Sequence, residues 1–116
     1  MTNINQENWL TAPNNKESFQ KVESLFKSVR IRRNSQEPSK LSQNHKSLDS
    51  IQIQDMEGQN QTFQEMLTST HTDAFIVLKD GEIIFEEYFN GMKLDSFHLM
   101  NSITKSFVGM LVGVLA

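Results

Sequence analysis

The chain has 116 residues and a net charge of −3, too small to argue for a nucleic-acid or acidic-substrate partner of the whole molecule. It contains no cysteine, which excludes disulfides and thiolate catalysis. The N-terminus, Met1 to Glu7, lacks the basic and apolar regions of a secretory signal, and the only long apolar run, Phe107 to Ala116, is half of the ~20 residues a membrane-spanning helix needs, so a soluble, cytoplasmic protein is expected.

Trp9, Leu10 and Pro13 read as an extended lead-in anchored against something larger. Asn14 or Asn15 then caps a helix whose apolar residues Phe19, Val22, Phe26 and Val29 recur at three- and four-residue steps, with Leu25 widening the stripe. From Asn34 the chain turns polar around Pro38 and reads as a loop or extended wrap. Ile51 and Ile53 alternate with Gln52 and Gln54, a short strand at most.

Charge is distributed unevenly along this stretch. Lys16, Lys21, Lys27, Arg30, Arg32, Arg33, Lys40 and Lys46 face only Glu17, Glu23 and Glu37, whereas Asp49 to Ala116 carries three lysines against ten acids. A basic arm ahead of an acidic body suits a nucleic-acid contact through Arg30, Arg32 and Arg33, or an arm docked on its own body. The arm lacks glycine-aromatic or recognition-helix patterning, which favours docking.

Thr62-Phe63-Gln64-Glu65 is a capping-box pattern and opens a short helix through Met66 and Leu67. Asp73 to Lys79 and Glu82 to Phe89 are β-branched and aromatic runs joined by Asp80-Gly81, a favoured two-residue turn, and predict an antiparallel β-hairpin. Asn90-Gly91 ends it, and a loop through Asp95, Ser96 and His98 leads to Asn101-Ser102. Beyond Ser102, Phe107, Val108, Met110, Leu111, Val112, Val114 and Leu115 predict a helix apolar on nearly every side, buried in a larger body. Ala116 falls within that helix without a capping glycine, so the chain is expected to be the N-terminal portion of an α+β fold that is incomplete here. There is no internal repeat.

A serine hydroxyl becomes a competent nucleophile when a base takes its proton, and a lysine is that base only where burial or nearby cations lower its ammonium pKa. Ser102-Ile103-Thr104-Lys105 puts both groups on one helix face, with the hydroxyl at a helix N-terminus where negative charge is favoured. The pattern alone says little, because Ser18-Phe19-Gln20-Lys21 and Ser24-Leu25-Phe26-Lys27 also match it. Those two fall in an amphipathic helix where both residues are expected to be solvated; position selects Ser102. On local chemistry alone, a capping serine followed by a solvated lysine explains Ser102 and Lys105 as well as a catalytic pair does. His45, His71 and His98 have no metal-ligand spacing, so neither a metal nor a cofactor is expected. Glu86 and Glu87, adjacent on a strand, face opposite sides and cannot form one acid/base site.

Thr72 to Gly81, Glu87 to Gly91 and His98 to Gly109 together resemble the N-terminal part of the serine β-lactamase-related hydrolases, and within them the 6-aminohexanoate-dimer hydrolase branch. Trp9 to Asn15, Phe19 and the Arg30 to Arg33 cluster resemble the arm of that branch. The resemblance implies a β-lactamase/transpeptidase-like fold, with an arm over residues 1–61 and the start of a catalytic domain over 62–116. It implies that Ser102 attacks an amide or ester carbonyl of a small-molecule substrate, that Lys105 accepts its proton, that the Ser102 amide is one oxyanion donor, and that water then hydrolyses the acyl-enzyme. No nucleic acid and no membrane are expected as partners. In such families a later Tyr-x-Asn-type motif and a later strand motif complete the site, and neither occurs after Lys105. Tyr88 is expected to be a hairpin residue. The 116-residue chain is accordingly expected to be inactive alone, or to be a non-catalytic remnant or binding module.

Overall fold

The computed structural model describes residues 3–32 and 35–116; Arg33 of the basic cluster and Asn34, which opens the polar stretch, lie outside the described residues, as do Met1 and Thr2. The chain forms two compact units, Met1–Val29 with Ser96–Ala116, and Arg30–Asp95.

The second unit is organised by the hairpin. Strand β4 (Ala74–Lys79) runs antiparallel to β5 (Glu82–Tyr88), and the two residues between them, Asp80 and Gly81, have φ of 52° and 81°. Positive φ at both positions is what a type I′ turn demands, and its twist matches that of the strands it joins. Register runs from Ala74 opposite Tyr88 to Lys79 opposite Glu82, with one irregularity where Val77 pairs Phe85 and Leu78 pairs Ile83, leaving Ile84 as the extra residue of a bulge. Strand β1 (Ser42–Gln43) lies parallel along the other edge of β5, and the chain continues alongside it as the Lys46 amide donates to the Ile84 carbonyl at 2.8 Å. Part of the polar wrap is therefore an edge strand held chiefly by main-chain bonds. Asn44 adds a side-chain bond to Glu82 at 2.9 Å.

Strands β2 (Gln52–Gln54) and β3 (Asn60–Thr62) pair antiparallel and feed helix α3 (Phe63–Ser69). The capping box is complete: the Glu65 amide donates to the Thr62 hydroxyl at 3.2 Å, and the Thr62 amide donates to the Glu65 carboxylate at 2.7 Å. Helix α3 buries Phe63 and Leu67, and the Phe63 ring meets Phe75 and Phe85 edge-on at 5.3 and 5.2 Å. This aromatic triad is the centre of the unit's core. His71, at φ 51°, ends the helix: the Thr72 amide returns to the Leu67 carbonyl and the His71 amide to that of Thr68, a Schellman closure.

In the first unit, the single helix expected around Phe19 to Val29 is two short ones, α1 (Asn15–Ser18) and α2 (Val22–Leu25). Asn14 occupies the N-cap position but makes no cap bond; its amide donates to the Asn8 carbonyl instead. Trp9 does not lie in an extended lead-in. The chain before it turns, and its ring packs against Phe19 and Phe26 at 6.2 and 5.1 Å. Phe26 is already extended, so Val29, expected on the buried stripe, is 86% exposed. The last helix, α4 (Thr104–Leu115), follows a 3-10 turn at Asn101–Ile103. Its expected burial is not present in this structure: every residue from Asn101 to Ala116 is exposed, because no described element covers the helix.

Candidate active site

Ser102 sits in the 3-10 turn and Lys105 in the first turn of α4. Spacing of three along a helical path brings them to one side, and the Lys105 ammonium donates to the Ser102 hydroxyl at 3.3 Å. Both side chains are exposed. The turn is closed by the Ile103 amide, which donates to the Met100 carbonyl at 3.0 Å. Asn101, immediately before the serine, has a φ of 45°, in the left-handed region. Asparagine is among the few non-glycine residues that adopt it readily, and the bend it makes opens the 3-10 turn that leads into α4.

The other two Ser-x-x-Lys runs are put to different uses. Ser18, expected to be solvated, is only 1% exposed, and its hydroxyl donates to the Trp9 carbonyl at 2.6 Å while Lys21 pairs with Glu17 at 2.5 Å. Ser24 donates to the Lys21 carbonyl at 2.7 Å. Of these three runs, the lysine-to-serine contact occurs at Ser102 and Lys105.

Tyr88-Phe89-Asn90 has Tyr-x-Asn spacing, but its groups serve the hairpin. The Tyr88 hydroxyl donates to the Glu86 carboxylate, and the Asn90 amide donates to Asp73 at 2.9 Å and to the Thr72 carbonyl at 3.2 Å. The bond to Glu86, reinforced by burial and by the carboxylate's charge, pushes the Tyr88 phenol up to about 12. Glu86 and Glu87 diverge as adjacent strand residues must, Glu86 opposite Ile76 and Glu87 opposite Phe75. His45 contacts the Gln43 side chain at 3.3 Å, His71 closes α3, and His98 donates from Nδ1 to the Leu99 carbonyl at 2.9 Å. No cluster of three His, Asp or Glu side chains suited to a metal occurs among the described residues. No helix among them is long and apolar enough to cross a membrane.

No family model matches the chain. By sequence and by fold it is nonetheless similar to the N-terminal part of a β-lactamase-like hydrolase. The relatives are 6-aminohexanoate-dimer hydrolases. The chain is 31% identical to the one from Paenarthrobacter ureafaciens over 94% of its own length and 26% of that protein's. It superposes on a putative 6-aminohexanoate-dimer hydrolase from Bacillus anthracis with a TM-score of 0.86 and 27% identity, over 97% of itself and 29% of that chain. It thus spans about a quarter of the length of the Paenarthrobacter ureafaciens protein.

Proposed function

We propose that Ser102 is the nucleophile and Lys105 the proton acceptor of a serine acyl hydrolase acting on small amides or esters. The supporting observation is the 3.3 Å Lys105–Ser102 contact at the start of α4, in a chain related along nearly all its length to hydrolases. In the reaction the neutral amine accepts the hydroxyl proton, the serine oxygen bonds to the carbonyl carbon, and the leaving amine or alcohol departs with a proton. Water then releases the acid and restores the serine. The name of the relatives points to short linear amides such as the 6-aminohexanoate dimer. Residues 62–116 would be the start of the catalytic domain, 1–61 its arm, and α4 a helix buried once the rest of such a body surrounds it.

The chain by itself is expected to lack turnover, since the later tyrosine and strand motifs are not in it. Purified chain treated with a fluorophosphonate ester should be labelled slowly at Ser102, and because Lys105 is exposed here, Lys105→Ala should change that rate by less than about tenfold. Labelling unchanged by Ser102→Ala would sink the nucleophile assignment, and hydrolysis of the 6-aminohexanoate dimer that vanishes in Ser102→Ala would sink the claim of inactivity.

The apolar residues exposed along α4 favour a second reading, a non-catalytic remnant or binding module. Amide exchange separates the two: slow, cooperative protection shared by the hairpin and α4 in the isolated chain supports an independent module, and fast exchange in α4 supports part of a hydrolase.

A further inference from the structure

We infer that the N-terminal arm sets the direction of the Ser102 turn, with Phe19 as the positioning residue; this rests on the reading of Ser102 as nucleophile. The Leu99 amide donates to the Phe19 carbonyl at 2.8 Å, although the two residues are far apart in sequence. The His98 ring meets the Phe19 ring edge-on at 6.2 Å and 83°. Phe19 is itself held from behind. Its ring stands edge-on to Trp9, and its neighbour Ser18 is buried with its hydroxyl on the Trp9 carbonyl. The arm and the segment that carries Ser102 belong to one compact unit.

The consequence is geometric. Only Met100 and Asn101 separate the anchored Leu99 from Ser102. The Met100 carbonyl is engaged by the Ile103 amide, and Asn101 is fixed in the left-handed region. Little torsional freedom is left between anchor and nucleophile, so whatever holds Leu99 aims the Ser102 hydroxyl. The interruption between α1 and α2 fits the same account. A helix continuing through this point would direct the Phe19 carbonyl to an amide four residues on, and here it accepts from Leu99.

Nuclear magnetic resonance on the whole chain tests the coupling. Phe19→Ala should speed amide exchange at Leu99 and Ile103 at least about tenfold and shift the Ser102 β-carbon and Lys105 ε-carbon signals, with hairpin signals unmoved. Phe19→Tyr, which keeps the ring, should restore all of these. Phe26→Ala removes the other Trp9 contact and should leave Ser102 and Lys105 where they were. If Phe19→Ala unfolds the chain, His98→Ala set beside His98→Phe, which keeps a ring against Phe19 but loses the bond to the Leu99 carbonyl, decides the matter by the same signals. Unmoved Ser102 and Lys105 signals in a folded Phe19→Ala or His98→Ala chain would overturn the inference, as would Phe26→Ala moving them equally. Phosphonate labelling is a separate readout: labelling that persists unchanged in Ser102→Ala removes the nucleophile and leaves the arm's hold on the turn standing.

Discussion

At the scale of single residues, the side chains whose chemistry the fold alters most are those with a local partner. Tyr88 is the only tyrosine, so its ionisation can be followed by ultraviolet absorbance without interference from another phenol. Its hydroxyl donates to Glu86, and ionising it would remove that bond and set a phenolate against a carboxylate. The expected midpoint is about 12, falling toward the ordinary value of 10.0 in Glu86→Gln. Because the phenol's pKa is raised by folding, its contribution to stability is complete below pH 10.0 and is lost as pH rises toward 12. A midpoint unaffected by Glu86→Gln would show that the bond does not control the group. The bond itself could not be read from the sequence: strand alternation puts residues 86 and 88 on one face, but not their side chains in contact. The contact between Ser102 and Lys105 was legible because three-residue spacing fixes their relation on a helix. Ser18 was misjudged because a tertiary partner, the Trp9 carbonyl, took its hydroxyl.

Elements whose reasons are local came out as read, and those governed by distant contacts did not. The hairpin follows from Asp80-Gly81 between two β-rich runs, and α3 from its capping box. Thr62→Ala removes the hydroxyl that accepts the Glu65 amide and should cost about 1 kcal/mol in urea unfolding of the chain, read as a lower midpoint at constant slope. The Thr62 backbone amide, and then its hydroxyl, hold the Glu65 carboxyl below the usual carboxylate range. Since folding depresses that pKa, the capping box is whole above pH 4.5 and weakens as pH falls through the lowered value. Both wild type and Thr62→Ala keep the backbone amide of this position on the carboxylate, so both should melt lower at acid pH, and the gap between them should narrow only by the hydroxyl-to-carboxylate bond. Melting of wild type that does not fall with the protonation of Glu65, judged against Glu65→Gln, would argue against the carboxylate's part. The helix expected across Phe19 failed for the opposite reason. Its periodicity is genuine, but pieces this short gain little from helical bonds alone, and a contact from Leu99 outweighs them.

At the scale of the whole molecule, the apolar patterning is right and the burial is missing. Phe63 and Leu67 are the only apolar side chains buried among the described residues, and Met110, Leu111 and Leu115 on α4 are at least 61% exposed. A twelve-residue helix with Gly109 and Gly113 in its interior and no covering element is marginal in water. Nothing lies within 4 Å of a methyl added at either glycine, so Gly109→Ala and Gly113→Ala meet no clash. Each should raise the helicity of the isolated chain and favour the helix by about 0.5–1 kcal/mol. Unfolding of the whole chain should nevertheless be shallow, with a urea slope below about 1 kcal/mol per molar, because little surface remains to be exposed. The alanines should steepen it hardly at all, since they add helix without adding burial. A sharp transition, sensitive to the glycine positions and followed equally by hairpin and α4, would mean that the chain packs its last helix unaided, and the binding-module reading would then displace the hydrolase-part reading.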